Sequence, residues 1–288
     1  MSGILIIGDH CGLREELSAA LATVKIAPEY ATDRAEAIER MRAQSFSVVI
    51  TDCESAVDED LALLAEMRGI RPGVKCIVVA RESTPDKVIA AMQAHVFACY
   101  TPPFNAREIA RVASYAAGDV DWKDDIEILS AKPNWVSVRA RCRLITAERL
   151  LTFERELSTH LPEQRQREMM QAFREILLNA IEHGAAFDPH QTVEVRVIQT
   201  ARSLVFYVQD PGAGFRLDML KHAAIANPPD NPVAHVLARE EAGMRPGGYG
   251  LLVAKGTVDE LIFNEIGNEV LLIKYLRPEG EAQANVQG

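Results

Sequence analysis

The sequence predicts a doubly wound α/β domain with a five-stranded parallel sheet, followed by an α+β domain. Strand-like apolar runs alternate five times with helical patterns over residues 1–118, which is typical of a parallel sheet covered by helices. The acidic stretch 119–127 breaks this alternation and is interpreted as a linker. Over residues 128–277 neighbouring strands pair with each other and the helices lengthen, and residues 278–288 are expected to form a frayed tail.

Each unit of the first domain pairs a short apolar run with a helical pattern. The strands are predicted at Gly3–Gly8, Ala27–Ala31, Ser47–Thr51, Val74–Val79 and Val96–Tyr100. The helices are predicted at Leu13–Leu21, Asp33–Ala43, Asp58–Met67, Thr84–Ala94 and Asn105–Ala117. In such sheets functional groups gather at the carboxyl ends of the strands. Asp9 and Asp52 stand at two of these ends.

The second domain contains longer helices and strands that follow one another directly. The strands are predicted at Ile126–Leu129, Trp135–Arg141, Thr192–Ile198, Leu204–Gln209, Leu261–Asn264 and Val270–Tyr275. The helices are predicted from an N-cap at Thr146 to about His160, from Glu163 to Gly184, and over Leu251–Val258. The long, proline-containing segment 216–246 is expected to be a lid, because long loops in compact domains are usually functional or disordered.

The composition excludes several classes of protein. With 48% hydrophobic and 25% charged residues among 288, the chain has the composition of a globular protein. Its formal net charge of −10 argues against a nucleic-acid partner. No apolar run could span a membrane and no charged-then-apolar leader opens the chain, so we expect a cytoplasmic protein. The five cysteines lack Cys-x-x-Cys pairing and are expected to be buried free thiols.

The helix predicted around residues 163–184 carries the first candidate site. Glu175 and Asn179 are four residues apart and share a face, with Glu182 or His183 one turn further. An amide oxygen can ligand Mg²⁺, and a carboxylate beside it can orient or deprotonate a substrate. The alternative is a polar stripe on an amphipathic helix, which Gly184 would end as a C-cap.

Two glycine-rich segments follow in the second domain. Asp210 ends a predicted strand and precedes Gly212 and Gly214. The two glycines would let the backbone approach a flat ligand closely, and the carboxylate could accept a hydrogen bond from an amino group of that ligand. Gly248 and Gly250 precede a helix, and small residues there can make a phosphate site. A glycine-rich loop on its own is more often a turn.

Taken together, Glu-x-x-x-Asn, Asp-x-Gly-x-Gly and Gly-Gly-Tyr-Gly in this order resemble the motifs of the Bergerat-fold (GHKL) ATPases, which are α+β sandwiches. The resemblance implies that Asn179 ligands Mg²⁺ and that Asp210 holds the adenine of ATP. It also implies that Gly212 and Gly214 admit the adenine ring and that Gly248 and Gly250 cradle phosphates. Residues 179–184 and 264–270 further resemble the anti-sigma-factor serine kinases, a branch in which Glu175 would be the general base.

Residues 1–118 resemble the receiver domain of response regulators, which has the flavodoxin-like doubly wound fold. The resemblance puts Asp52 at the phospho-acceptor position and Asp9 at one of two acidic Mg²⁺ ligands. Gly8 replaces the other ligand, Ala80 replaces the hydroxyl residue, and Pro102 replaces the lysine. An acyl phosphate needs a metal and a cation to neutralise it, so we expect a degenerate receiver that has lost its phosphoryl switch.

The preferred hypothesis is a cytoplasmic serine/threonine kinase of the anti-sigma type, regulated by the degenerate receiver. Its partner would be an antagonist protein with a Ser or Thr substrate residue. A sigma factor as a second partner, and a homodimer, are both left open as further possibilities. One rival is an ATP-gated binding module without kinase activity, and another is a phospho-switched response regulator with an ATPase output domain. A histidine kinase is rejected because His160 precedes Leu161-Pro162 and resembles a helix-end cap.

Overall fold

The computed structural model describes residues 3–8, 11–51, 56–118, 125–158, 161–215, 220, 222–228, 230–241 and 248–276. The described residues within 1–125 and 148–160 form one compact unit, and those within 126–147 and 161–288 form the other. Each unit is built on its own sheet.

The first unit contains a five-stranded parallel sheet, as predicted. Its strands are β1 (Gly3–Ile7), β2 (Glu29–Ala31), β3 (Phe46–Ile50), β4 (Lys75–Val79) and β5 (Ala98–Tyr100). Their order across the sheet is β2-β1-β3-β4-β5, and every described pairing is parallel. All residues of β4 and β5 are buried, as expected for parallel strands covered on both faces.

Five helices of this unit alternate with its strands, and side chains cap the start of two of them. The five helices are α1 (Cys11–Thr23), α2 (Arg34–Ala43), α3 (Val57–Ile70), α4 (Pro85–Gln93) and α5 (Ala106–Gly118). The side chain of Asp33 accepts from the backbone N–H of Glu36 at the start of α2. Thr84 caps α4 in the same way, with Pro85 at the first helical position.

A sixth helix, α6 (Leu144–Leu157), belongs to the first unit from Glu148 onward. The backbone N–H and the hydroxyl of Thr101, after β5, both donate to the buried carboxylate of Glu156. Arg149 Nε donates to the carbonyl of Phe97 at 3.1 Å. The predicted N-cap at Thr146 is wrong, because α6 begins two residues earlier and Thr146 is buried within its first turn.

The second unit contains a six-stranded antiparallel sheet. Its strands are β6 (Ile126–Lys132), β7 (Trp135–Arg141), β8 (Thr192–Gln199), β9 (Ser203–Gln209), β10 (Glu260–Phe263) and β11 (Glu269–Tyr275), in the order β10-β11-β9-β8-β7-β6. Buried and less buried residues alternate along β8 and β9, so the sheet has one core face. On the other face Arg139 forms ion pairs with Glu127 and Glu194, at 3.0 and 2.9 Å.

Helices cover the core face of this second sheet, which confirms the predicted α+β fold. Helix α7 (Glu163–Asn179) packs against β9 and β11, and α9 (Gly250–Thr257) packs against β10, while α8 (Ala234–Glu241) packs against the turn Ala224–Ala226. Phe173 of α7 stacks on Phe206 of β9 with ring centroids 4.7 Å apart. A π-helical turn, Ala180–Gly184, extends α7 and carries the chain to the edge of a cleft.

Candidate functional site

A cleft of about 300 Å³ lies in the second unit, between α7, the loop after β9, the start of α9 and the β10–β11 turn. All six residues that the resemblance assigned to nucleotide binding line it, namely Asn179, Asp210, Gly212, Gly214, Gly248 and Gly250. These residues come from three separate segments of the chain. The structure therefore brings the three sequence motifs together around one cavity.

Asp210 follows β9 and is held from both sides. Its backbone N–H donates to the carbonyl of Asn268 at 3.0 Å, and its Oδ1 accepts the backbone N–H of Gly212 at 2.8 Å. Partial burial raises the pKa of the Asp210 carboxyl above its ordinary value, and the N–H of Gly212 acts in the opposite direction. The carboxylate is a fixed acceptor inside the cleft.

Two glycines leave room for this carboxylate. A Cβ at Gly184 would lie 2.4 Å from Asp210 Oδ1, and a Cβ at Gly212 would lie 2.8 Å from the same atom. The helix ends at Gly184 as predicted, but the expected cap geometry is wrong, because Gly184 lies in the π-helical turn and does not have a positive φ. Gly184 is needed for its close approach to Asp210, 26 residues away along the chain.

The loop after β9 interlocks with the β10–β11 turn. Gly214 and Gly267 have φ of +78° and +88°, and a Cβ at either would lie 2.2 Å or less from a carbonyl oxygen of the opposite loop. The side chain of Asn264 accepts from the backbone N–H groups of Gly267, Asn268 and Glu269. The segment 264–270, whose sequence resembles a signature of the anti-sigma-factor kinases, therefore shapes the turn that supports Asp210.

Glu175 and Asn179 face the start of α9. A Cβ at Gly250 would lie 2.6 Å from Glu175 Oε2 and 3.5 Å from Asn179 Nδ2, so a larger residue would collide with the carboxylate. The first N–H groups of a helix have no partner within the helix and favour an anion. The structure thus places a carboxylate, an amide and a helix N-terminus side by side.

The described part of segment 216–246 packs against Gly248. Gly248 has φ +90°, its carbonyl accepts from the N–H of Ala224 at 2.8 Å, and a Cβ there would lie 2.5 Å from the carbonyl of His222. Arg239 of α8 donates to that same His222 carbonyl at 3.2 Å. His222 and Arg239 line the cleft, and so does His183. Sequence reasoning missed His222 and Arg239, because neither lies in a motif.

The arrangement fits an adenine nucleotide. The glycines around Asp210 form a narrow slot with one carboxylate acceptor, and the Gly248–Gly250 segment opens a helix N-terminus. Among the residues that the structure describes, no three His, Cys, Asp or Glu side chains gather into a metal site. The amide oxygen of Asn179 suits Mg²⁺, which usually keeps waters and phosphate oxygens as its other ligands.

Some predicted residues cannot be placed. Asp9 and Asp52, the residues assigned to the receiver's phosphoryl site, lie outside the described residues, as does His160. The positions that are described include Ala80, which is buried and donates its N–H to the carbonyl of Tyr100. The described cysteines Cys76, Cys99 and Cys142 are buried free thiols. No helix in the described ranges is both long and apolar enough to cross a membrane.

Comparison with known proteins identifies two families. The response regulator receiver domain family matches residues 4–114, and the histidine kinase-like ATPase domain family matches residues 138–274. Two curated relatives are the transcriptional regulatory proteins GlrR of Escherichia coli (strain K12) and QseF of Escherichia coli O157:H7. Each is 24% identical over 148 residues, which cover 49% of this chain and 33% of the relative. The chain thus spans about a third of the length of these relatives.

Solved structures resemble the first part of the chain. A CheY-like receiver domain protein from Methanospirillum hungatei JF-1 is 20% identical with a TM-score of 0.37, covering 41% of this chain and 94% of that one. A response regulator from Thermotoga maritima is 18% identical with a TM-score of 0.37, covering 41% and 100%. Both families predicted from the sequence are confirmed. The chain is a signalling protein in which a response regulator receiver domain is followed by a histidine kinase-like ATPase domain.

Proposed function

We propose that the second unit binds Mg·ATP and that the chain is a serine/threonine kinase of the anti-sigma-factor type. The observation that carries the kinase assignment is the Glu175 carboxylate, which lies against Gly250 at the N-terminus of α9, one helical turn from Asn179. A nucleotide-gated clamp needs an adenine slot and a phosphate site. It has no use for a carboxylate at this position.

Six residues that line the cleft, together with Glu175 beside Gly250, have roles in this proposal. Asp210 would accept from the adenine amino group, with Gly212 and Gly214 shaping the slot, and Gly248 and Gly250 would face the phosphates. Asn179 would ligand Mg²⁺, which neutralises phosphate charge when bound. Glu175 would accept the proton of a Ser or Thr hydroxyl presented by the partner protein.

The first unit would regulate the kinase as a degenerate receiver, acting through its surface as a dimerisation or docking element. Ala80 and Pro102 support this, since neither side chain can bind a phosphate on Asp52. The protein would act in the cytoplasm on an anti-sigma-antagonist-like partner, in a partner-switching system.

The test is a phosphotransfer assay with labelled ATP and candidate antagonist domains. The parent protein should label a serine or threonine, and Glu175→Gln should lower the rate by roughly 10²–10⁴-fold with ATP affinity nearly unchanged. Glu163→Gln is the matched control, because Glu163 is an exposed glutamate of the same helix. Equal rates for Glu175→Gln and the parent, or ATP binding without transfer to any candidate, would favour the clamp.

A further inference from the structure

The open face of the second sheet, which points away from its helices, carries a row of apolar side chains. Four residues on neighbouring strands stand in register along this apolar row, namely Trp135 of β7, Ile198 of β8, Val205 of β9 and Ile273 of β11. None of the four belongs to the buried core, and Trp135 is 51% exposed. Ile262 and Tyr275 lie on the same face and are also exposed. A contiguous apolar surface of this kind marks an interaction site.

The two ends of the apolar row carry opposite charges. At one edge of the sheet, Lys132 of β6 is in register with Trp135. At the other edge, Glu260 of β10 is in register with Ile273 and accepts a hydrogen bond from the hydroxyl of Tyr275. Because neighbouring strands lie about 4.8 Å apart, the two charges are roughly 24 Å from each other. Lys132 and Glu260 therefore cannot pair within one chain.

The remaining charges on the open face divide in the same way. On β6, β7 and β8, four basic side chains share the face with two acidic ones, namely Lys132, Arg139, Arg141 and Arg196 with Glu127 and Glu194. On β9, β10 and β11, the charged residues of the face among those the structure describes are Glu260 and Glu269. Lys274 lies on the other face, in register with the buried Leu204. One half of the open face is therefore net positive and the other half net negative.

A face with this charge pattern is complementary to a second copy of itself. A two-fold axis parallel to the strands, between β8 and β9, would set β6 over the partner's β10 and β7 over the partner's β11. Lys132 would then meet the partner's Glu260, and the apolar row would lie along the partner's row. Arg139 would face the partner's Glu269, which stands in the same line of register. A two-fold axis across the strands would instead set each half on its own like charge.

The open face is large enough for a specific dimer. Six strands about 4.8 Å apart, with about seven residues that rise about 3.4 Å each, span roughly 600 Å², so two copies would bury about 1,200 Å² together. That area is at the lower end of stable protein–protein interfaces. Two sheets that pack face to face lie about 10 Å apart, which suits interdigitating side chains of the size found in the apolar row.

We propose that the open face of the second sheet is a homodimer interface, covered by the same face of a second copy of the chain with β6 over the partner's β10. This interface goes beyond the proposed function, because it lies in the second unit and does not depend on nucleotide binding. The first unit would then act as a docking element and not as the dimerisation element.

Sedimentation equilibrium of the full chain measures the dimer directly. We expect a dimer that Lys132→Glu and Glu260→Lys each weaken by about tenfold, because symmetry replaces two attractive contacts by two repulsive ones. Combining the two substitutions restores opposite charges and should return the dissociation constant to near that of the parent. Lys255→Glu is the matched control, because Lys255 is an exposed lysine of α9, outside the open face, and should leave the dimer unchanged.

Val205→Asp places a charge at the centre of the open face and should abolish the dimer. Hydrogen exchange of β8 and β9 shows whether this variant keeps the sheet, and the exchange of charges between Lys132 and Glu260 decides the matter where it does not. A parent protein that sediments as a monomer would overturn the proposal. So would a dimer that none of these variants weakens, since the contact would then lie elsewhere. Weakening by both single charge variants without recovery in the double variant would overturn it too, because the two residues would not meet.

Discussion

The strand ends of the two units differ in what surrounds them. After β9, in the second unit, glycines at 184 and 212 leave room around Asp210, whose carboxylate lines a cleft. After β4 and β5, in the first unit, Ala80 is packed in the core and Thr101 is bound by Glu156. The end of β9 leaves space for a ligand, whereas the ends of β4 and β5 are filled by the protein's own side chains.

This difference shows that the end of a buried strand can leave room for a ligand or be filled by neighbouring side chains. Both folds follow from the periodicity of apolar residues, which needs only the right pattern of buried positions. A site also needs small residues at points of close approach and polar groups with the right partners. Particular contacts therefore distinguish the strand ends of the two units, and each contact can be removed by a substitution.

The largest loss of stability is expected within the first unit, where the side chain of Glu156 on α6 binds Thr101 after β5. Glu156 accepts both donors of Thr101 and pairs with Arg155 at 2.9 Å, while its side chain is 1% exposed. Glu156→Ala leaves these donors buried and unpaired, so we expect the first unit to lose about 3 kcal/mol of stability. Denaturant unfolding, with hydrogen exchange of β5 and α6 to identify the unit, measures this loss.

Glu108→Ala is the matched control, because Glu108 also pairs with Arg155, at 3.6 Å, but remains partly exposed. A partly exposed ion pair is worth less, and we expect a cost below about 1 kcal/mol. Equal losses for the two variants would show that Glu156 does not hold the helix.

The next effect concerns the space around Asp210. Gly184→Ala places a Cβ against the carboxylate and should weaken adenine nucleotides by about tenfold to a hundredfold, as Asp210→Asn should by removing the charged acceptor. Calorimetry on both variants tests this. Gly256→Ala is the control, since a Cβ there meets nothing within 4 Å. An unchanged nucleotide affinity in Gly184→Ala would show that the close approach of Gly184 to Asp210 is not needed for binding.

A third effect depends on pH and involves Glu154, two residues before Glu156. Its carboxyl is buried and neither oxygen has a hydrogen-bond partner among the described residues, and burial raises its pKa to about 8. Between its ordinary pKa of 4.5 and about 8, the folded protein holds a proton that the unfolded chain releases. Stability should therefore fall as pH rises, by at most about 1.4 kcal/mol per pH unit.

Glu154→Gln removes this titration and keeps the shape of the side chain. The stability of the variant relative to the parent should rise from pH 5 to pH 8 and stay level at higher pH. Unfolding free energies of both proteins at four pH values decide the matter. A difference independent of pH would mean that Glu154 ionises normally in the folded protein.

The contacts addressed by these predictions also show which features could not be predicted from the sequence. The parallel sheet, the antiparallel sheet and the cleft residues from Asn179 to Gly250 follow from local patterns and from the order of three motifs. The role of Gly184 does not, because a glycine after a helix already has a local explanation as a cap. Its contact with Asp210 appears only when two distant segments are folded together.

Arg239 and Glu156 were missed for a related reason. Arg239 lies in a lid that the sequence marks only by its length and prolines. Glu156 lies in a helix whose amphipathic pattern predicts which face is buried. The pattern does not predict which part of the protein that face packs against. Thr101 and Glu156 are 55 residues apart, and no spacing rule connects them.

The smallest effect is expected at Asp52, where a phosphate analogue should not change the receiver domain at all. A phosphate there changes the receiver only if it interacts differently with two states of the domain. Position 80 offers no hydroxyl, position 102 offers no cation, and the hydroxyl of Thr101 is bound by Glu156. Beryllium fluoride with Mg²⁺ should therefore leave the hydrogen exchange of β4, β5 and α6 unchanged, as it should in an Asp52→Ala control. A saturable change that Asp52→Ala abolishes would restore the phospho-switch, and the strand ends of the two units would then both be working sites.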